Sequence, residues 1–166
     1  RDAKEPNPGM AGVRAESHVF IAVELFPLLP RAAAGDLHGE VPPPPAHPKP
    51  VTISALVDTG ATRSVISSAL AARLQAPLLP WGGRVRSASG STMSPIGVVA
   101  LPARPKGVRR DPDIFTFLVV DSLIHAIVIG MDMLRLLGAR LDLSKPSVDQ
   151  LELGGTAVAT ARGIAG

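Results

Sequence analysis

The sequence predicts an all-β domain with one or two short helices. Glycine occurs 16 times and proline 17 times in 166 residues, which favours turns and short strands over a helix bundle. Runs of β-branched and apolar residues, bounded by turn-forming residues, give about eight to ten short strands. Hydrophobic residues make up 46% of the chain and aromatic residues 3%, so the predicted core is mainly aliphatic.

The strands are predicted from these runs in chain order. They cover residues 18–25, 51–57, 63–66, 85–88, 96–102, 114–120, 126–129, 141–143 and 148–153. A Ser-Ser pair can cap a short helix over residues 69–74, and Gly138 ends a second helix over residues 131–137. Residues 89–92, Ser-Gly-Ser-Thr, would form the tip of a hairpin between the fourth and fifth strands.

Three regions follow from changes in composition. We expect a flexible polar leader at 1–17, the folded domain at 18–153 and a flexible Ala/Gly tail at 154–166. Within the domain, residues 26–50 form an inserted loop with four consecutive prolines at 42–45, which have no amide hydrogen to donate to a sheet. This loop is a spacer or a docking ligand for an aromatic-lined groove. The missing initiator Met leads us to expect a piece of a longer protein.

Composition also limits the classes of function. The chain has no Cys, which excludes disulfide frameworks, thiolate nucleophiles and thiolate zinc sites. Its four histidines lack metal-site spacing, so we expect neither a metal nor another cofactor. Basic residues exceed acidic ones by a net charge of +3, but they are scattered, which predicts a basic surface and no nucleic-acid partner. No apolar run reaches the ~18 residues of a membrane helix, and we expect a cytoplasmic protein without a membrane partner.

The tripeptide Asp58-Thr59-Gly60 is the feature that indicates chemistry. Asp58 directly follows an apolar strand, where burying a carboxylate is costly unless it serves a purpose. The small residues Thr59, Gly60 and Ala61 let another group approach the backbone closely. A carboxylate at the end of a strand, flanked by backbone amides, is suited to acid–base chemistry.

A second apolar strand, residues 126–129, ends in Gly130 and is followed by Met-Asp-Met-Leu. Together with Asp-Thr-Gly-Ala at 58–61, this pattern resembles the retropepsin-like aspartic proteases. These are the proteases of retroviruses and LTR retrotransposons and their cellular relatives of the DNA-damage-inducible type. The resemblance covers residues 18–153 and implies the acid-protease half-barrel of that family.

The resemblance implies hydrolysis of peptide bonds by two carboxylates that share one proton. One ionised Asp activates a water molecule, and the protonated Asp donates to the scissile carbonyl. Because the chain contains Asp-Thr-Gly once, the implied enzyme is a C2 homodimer in which Asp58 of each subunit lies at the two-fold axis. The implied substrate is a peptide or a retroelement polyprotein.

The resemblance also assigns roles to single residues. Asp58, Thr59 and Gly60 form the catalytic turn, in which Thr59 bonds across the dimer and Gly60 bonds the substrate backbone. The implied substrate-binding residues lie on this turn and on the hairpin tip, which would be a mobile flap: Ala61, Thr62, Ala88, Ser89, Gly90 and Ser91. Gly130 and Asp132 have structural roles, with Asp132 anchoring the second helix, and strand 148–153 contributes to the dimer sheet.

Aliphatic side chains near these motifs predict a preference for apolar residues beside the cleaved bond. The expected pocket walls are Val57, Ile66, Leu101, Ile127 and Ile129. Two features depart from the retroviral pattern: many members carry an acid directly after Asp-Thr-Gly-Ala, where this chain has Thr62 and then Arg63, and Met131 replaces an Arg. Both departures move the resemblance toward retrotransposon and cellular members.

Two other readings of the sequence stay open. One is an inactive or domesticated retropepsin-fold module for dimerisation or peptide binding. The other is an unrelated β-domain with a chance Asp-Thr-Gly. The intact tripeptide favours the protease, because a binding module has no need of a costly pair of acids.

Overall fold

The computed structural model describes residues 17–28, 49–86, 92–142, 144 and 150–164. Twelve strands and two helices form within these ranges. The strands are β1 (Ser17–Leu25), β2 (Val51–Val57), β3 (Val65–Ser67), β4 (Val85–Arg86), β5 (Thr92–Met93), β6 (Gly97–Pro105), β7 (Asp113–Val120), β8 (Ile127–Ile129), β9 (Arg140–Asp142), β10 (Gln150–Leu153), β11 (Thr156–Val158) and β12 (Thr160–Ile164). The helices are α1 (Ser68–Arg73) and α2 (Met131–Leu136). The predicted all-β class is confirmed.

A closed barrel of six strands forms the centre of the fold. Its strands follow the order β1-β2-β8-β3-β7-β6, and β6 closes the barrel by pairing with the second half of β1. The pairs β2–β8 and β3–β7 are parallel, and the other pairs are antiparallel. β12 extends the sheet by pairing with the first half of β1.

Both faces of the central strands are buried. The residues of β6 alternate between buried and half-buried, because successive side chains of a strand point to opposite faces. The interior is mainly aliphatic and includes Ile66, Leu101, Phe117, Ile127 and Ile129. A second, smaller cluster contains sequence neighbours of these residues, such as Val65 and Val128, and therefore lies on the opposite face.

The two helices have the predicted caps. The Ser67 hydroxyl accepts a hydrogen bond from the Leu70 amide at 3.3 Å, which begins α1. Gly138 follows α2 with a φ of 58°, the left-handed conformation that commonly ends helices. In the part of the chain that the structure describes, no helix has the length and apolar character that a membrane crossing requires.

The Pro-rich insert leaves the barrel far from Asp58. Leu25 pairs with Val51, so the insert connects the neighbouring ends of β1 and β2. Asp58 follows the other end of β2, which has 7 residues and is therefore about 20 Å long. Residues 29–48 of the insert and residues 1–16 of the expected leader lie outside the described residues.

The prediction of a flexible tail after residue 153 is wrong for residues 154–164. Gly154 and Gly155 have φ values of 59° and 77°, which a two-residue hairpin turn of the favoured twist requires. This turn joins β10 to β11, with Leu153 opposite Thr156. The sequence signal was present, since Gly-Gly between alternating residues is a hairpin pattern.

The prediction for the hairpin was wrong in its second arm. β4 pairs with β5, with Val85 opposite Met93, and not with residues 96–102, which belong to β6 of the barrel. Pro95 is buried and lies in the sequence between β5 and β6. An X-Pro step often marks a change in chain direction. The second arm of the hairpin is therefore β5, which precedes Pro95.

Candidate active site

The Asp58 turn lies where two parallel strands end side by side. Val57 pairs with Ile129 across β2 and β8, and the Asp58 amide donates to the Ile129 carbonyl at 3.0 Å. Because the carboxyl ends of parallel strands meet at one edge of the sheet, Asp58 and Gly130 become neighbours. The Asp58 carboxylate is half-buried and accepts a hydrogen bond from the Gly60 amide at 2.8 Å.

Gly130 allows the turn to pack directly on the start of α2. The Met131 amide donates to the Ala61 carbonyl at 2.8 Å. A Cβ atom at Gly130 would lie 2.6 Å from the carbonyl carbon of Arg63 and 2.9 Å from the Ala61 oxygen. These contacts are with backbone atoms, so no side-chain movement could relieve them. The Asp-Thr-Gly-Ala motif at 58–61 and the motif that contains Gly130 therefore pack together only with glycine at position 130.

Ser64 connects the turn to α2 through a buried hydrogen-bond network. Its side chain is 0% exposed, and its hydroxyl donates to Asp132 Oδ1 at 2.6 Å and accepts from the Gly130 amide at 3.0 Å. The Ser64 amide donates to Asp132 Oδ2 at 3.0 Å. The Met133 amide donates to Asp132 Oδ1 at 2.8 Å. Asp132 thus joins α2 to the segment that follows the Asp58 turn.

Replacing Ser64 by Ala is expected to lower the free energy of unfolding by about 1–3 kcal/mol, because the Gly130 amide and one Asp132 oxygen would lose a buried partner. Denaturant unfolding would measure the change. Ser54→Ala is the matched control, since Ser54 is exposed on β2, and it should change stability by less than about 0.5 kcal/mol. Equal stability of the two variants would contradict the role given to Ser64.

A cleft of about 230 Å³ opens beside the Asp58 carboxylate. We call it the Asp58 cleft. Its other walls are Gly60, Ala61, Thr62, Arg63, Val65, Val85, Met93, Leu123 and Val128. The prediction that Ile66, Leu101, Ile127 and Ile129 form pocket walls is wrong. Each of these residues is 0% exposed, in the interior of the barrel. Their sequence neighbours Val65 and Val128 line the cleft, since strand side chains alternate between faces.

Thr59 lies on the other side of the turn from the Asp58 cleft. It is exposed and lines a second depression of about 140 Å³, which we call the Thr59 hollow. The remaining lining residues are mostly apolar: Val57, Met131, Leu134, Arg135, Ala139, Leu141 and Leu151. The turn therefore separates a cleft that contains the carboxylate from an apolar surface that contains the threonine.

The structure brings together most of the residues singled out in the sequence. Asp58, Gly60, Ala61 and Thr62 line the cleft, while Gly130 and Asp132 lie behind the turn. The hairpin contributes Val85 and Met93 to the cleft, but Ala88, Ser89, Gly90 and Ser91 lie outside the described residues. Among the residues that the structure does describe, no three acidic or histidine side chains gather into a possible metal site.

Sequence reasoning missed the partners of Arg63. The Arg63 Nε lies 3.4 Å from Asp132 Oδ2, and its guanidinium carbon lies 5.5 Å from the centre of the Trp81 ring. The two departures from the retroviral pattern, an Arg after the turn and an Asp without an adjacent Arg, are thus in contact. Considered together, those departures could have predicted an ion pair of this kind.

The matched family agrees with this geometry. A family model described as "gag-polyprotein putative aspartyl protease" matches residues 49–136, slightly more than half of the chain. The chain belongs to this aspartyl protease family. The matched residues include the Asp58 turn, the strands β2 to β8 and the whole of α2, and the retropepsin-like resemblance drawn from the sequence is confirmed. A search of curated proteins found no match.

Two solved structures are similar to this aspartyl protease family member. The retroviral protease-like domain of Ddi1 from Leishmania major has a TM-score of 0.56 and 16% identity, covering 87% of this chain and 93% of that one. EIAV protease complexed with the inhibitor HBY-793 has a TM-score of 0.46 and 20% identity, covering 79% of this chain and 95% of that one. The likeness to the Ddi1 domain shows the retropepsin-like fold.

Proposed function

We propose that this family member is an aspartic endopeptidase that acts as a homodimer. The observation that carries the proposal is the Asp58 carboxylate, which is held by the Gly60 amide at the edge of an otherwise largely apolar cleft. A carboxylate in a partly apolar cleft can exchange protons with a bound water molecule and a substrate carbonyl. The membership of an aspartyl protease family supports the same chemistry.

Among the described residues, each chain supplies one carboxylate to the cleft, that of Asp58. Asp132 is the nearest acidic residue in the second motif, but its two oxygens already accept hydrogen bonds from the Ser64 amide, the Ser64 hydroxyl and the Met133 amide. The Asp132 carboxylate therefore serves to attach α2 to the segment after the Asp58 turn. The second catalytic carboxylate comes from Asp58 of a second copy, and the two acids meet across a two-fold axis.

The exposed surface around Thr59 supports this assembly. Thr59 and the mostly apolar residues of the Thr59 hollow lie directly beside the Asp58 turn. Covering this hollow with a second subunit would remove apolar surface from water and would bring the two Asp58 turns together. Thr59 would then donate to the neighbouring turn and fix the distance between the carboxylates.

Peptide hydrolysis follows from two carboxylates that share one proton. The ionised Asp58 removes a proton from a water molecule held between the acids, and the protonated Asp58 of the second copy donates to the scissile carbonyl oxygen. The water oxygen attacks the carbonyl carbon and forms a tetrahedral diol, which breaks down as the leaving nitrogen takes a proton. Gly60 and Ala61 would bind substrate backbone, and the hairpin that contains Ala88, Ser89, Gly90 and Ser91 would close over it.

The proposed substrate is a polyprotein of a retroelement, because the matched family is described by gag polyproteins. The apolar walls of the Asp58 cleft, such as Val65, Leu123 and Val128, favour apolar side chains next to the cleaved bond.

Residues 18–153, the expected domain, exclude β11 and β12. We therefore propose that the folded unit extends at least to Ile164.

Cleavage of an unfolded protein at mildly acidic pH tests the proposal. We expect internal cleavage that is inhibited by a peptide-like compound carrying a hydroxyl group in place of the scissile carbonyl, since this group mimics the diol. Sedimentation should give a dimer at the concentrations at which cleavage occurs. A protein that sediments only as a monomer, or cleaves equally well with the inhibitor present, would contradict the proposal.

A further inference from the structure

Arg63 is the basic residue of the Asp58 cleft. Of the described residues that line this cleft, Asp58 and Arg63 are charged, and the others are apolar, glycine or threonine. The Arg63 side chain is 38% exposed, so part of it is open to solvent beside the cleft that it lines. A single cation at the edge of an apolar cleft is a strong local determinant of which side chains can bind there.

The charge of Arg63 is only partly neutralised by Asp132. The Arg63 Nε lies 3.4 Å from Asp132 Oδ2 but forms no hydrogen bond, although Nε itself is buried. Asp132 accepts its three hydrogen bonds from Ser64 and Met133 instead. No hydrogen bond involves the two terminal nitrogens of Arg63 within the described parts of the chain. The planar fork that suits a carboxylate is therefore still available.

Trp81 holds the guanidinium in place. Its ring centre lies 5.5 Å from the Arg63 guanidinium carbon, a distance at which the cation is attracted to the aromatic face. Gly83 leaves room for this ring, because a Cβ atom there would lie 2.7 Å from the indole nitrogen. Arg63 is thus restrained by Asp132 and by Trp81, which reduces the side-chain entropy lost when a ligand binds.

We propose that Arg63 is a specificity-determining residue that binds the carboxylate of a Glu or Asp side chain in the substrate. This inference rests on the proposed peptide hydrolysis, and it adds a preference for acidic residues to the apolar preference at the cleaved bond. In a symmetric dimer each subunit contributes one Arg63. The two acidic side chains would therefore bind on opposite sides of the cleaved bond, a few residues from it.

Matched peptides test the preference. Each peptide has the same apolar pair at the cleaved bond. It carries Glu, Gln or Lys at a single position, either before or after that bond. The measurement is made at about pH 6, where a peptide Glu is ionised. At one position on each side of the cleaved bond, we expect the Glu peptide to be cleaved roughly fivefold to tenfold faster than the Gln peptide. Added salt should reduce this ratio, because it screens the charge.

Three variants of Arg63 separate recognition from a purely structural role. Arg63→Gln should remove the difference between Glu and Gln, Arg63→Lys should keep part of it, and Arg63→Glu should favour Lys. Arg73→Gln is the control, because Arg73 is exposed at the end of α1 and does not line the cleft, and it should keep the wild-type ratio. If Arg63→Gln slows all peptides equally and leaves the ratio unchanged, the inference is wrong.

A binding measurement distinguishes failure of this inference from failure of the proposed function. Fluorescent versions of the same peptides are titrated into Asp58→Asn and into the double variant Asp58→Asn/Arg63→Gln. Tighter binding of Glu peptides that disappears in the double variant supports the inference even if the wild type cleaves nothing. Efficient cleavage with equal rates and equal binding for Glu and Gln peptides would overturn the inference and leave the proposed function standing. Absence of binding by any peptide would overturn the inference.

Discussion

Replacing Asp58 by Asn is expected to reduce peptide cleavage by about a thousandfold or more, because the amide can neither take a proton from water nor share one with a second acid. The change keeps the size of the side chain and leaves an oxygen for the Gly60 amide, which donates to Asp58 Oδ1 at 2.8 Å. We therefore expect unchanged thermal unfolding and unchanged dimerisation. Cleavage rates and sedimentation measure the two expectations.

Asp121→Asn is the control for the loss of an acid. Asp121 is exposed, is followed by Ser122 and Leu123 where Asp58 is followed by Thr and Gly, and does not line the Asp58 cleft. Its replacement should leave cleavage within about twofold of the wild type, since surface changes away from a site usually have small effects. If Asp58→Asn cleaves as fast as Asp121→Asn, the catalytic assignment of Asp58 is wrong.

Replacing Gly130 by Ala is expected to lower the free energy of unfolding by about 2–3 kcal/mol and to reduce cleavage strongly. The new methyl group would lie 2.6 Å from the carbonyl carbon of Arg63 and 2.7 Å from its oxygen, so the turn and α2 must move apart. This movement would also disturb the Met131–Ala61 hydrogen bond of 2.8 Å. Denaturant unfolding and peptide cleavage measure the two effects.

Gly82→Ala is the matched control for an added methyl group. A Cβ atom at Gly82 would have no neighbour within 4 Å, and Gly82 is exposed. The control should be as stable as the wild type or slightly more stable, because alanine restricts the unfolded chain. A Gly130→Ala protein with the stability of this control would show that the two motifs do not need close contact.

The barrel could be predicted because its strands have strong local signals. Residues 51–57 were predicted to be a strand and form β2 with the same bounds, since a run of β-branched and apolar residues ends at the Asp58 turn. The helix caps at Ser67 and Gly138 were also visible in the sequence. Such signals depend on neighbouring residues and need no knowledge of the tertiary structure.

The contacts behind the candidate site could not be predicted in this way. Ser64 and Asp132 are 68 residues apart in the chain, and a single serine after the turn gives no sign that it will be fully buried. The contact between Arg63 and Trp81 likewise depends on how the segment before β4 folds back. The error in the cleft walls had another cause, since a shift of one residue along a strand moves a side chain to the opposite face.

The Arg63–Asp132 contact also changes the meaning of the departures from the retroviral pattern. In the sequence, Arg63 after the turn and Asp132, which lacks the adjacent Arg of the retroviral pattern, were considered separately. In the structure they face each other at 3.4 Å, next to the hydrogen bonds that Ser64 makes with Asp132. The acid that many retroviral members carry after the turn is replaced here by Thr62, and the next residue, Arg63, places a positive charge in the wall of the cleft.

The central claim is that two chains each contribute one Asp58 to a single site, and a mixing experiment tests it most directly. Wild-type chain is unfolded and refolded with a tenfold excess of Asp58→Asn chain, at a total concentration at which the wild type sediments as a dimer. Random pairing leaves few dimers with two acids, so we expect cleavage per wild-type chain to fall about tenfold. Unchanged cleavage per wild-type chain would contradict the claim, because it would mean that one chain holds a complete site.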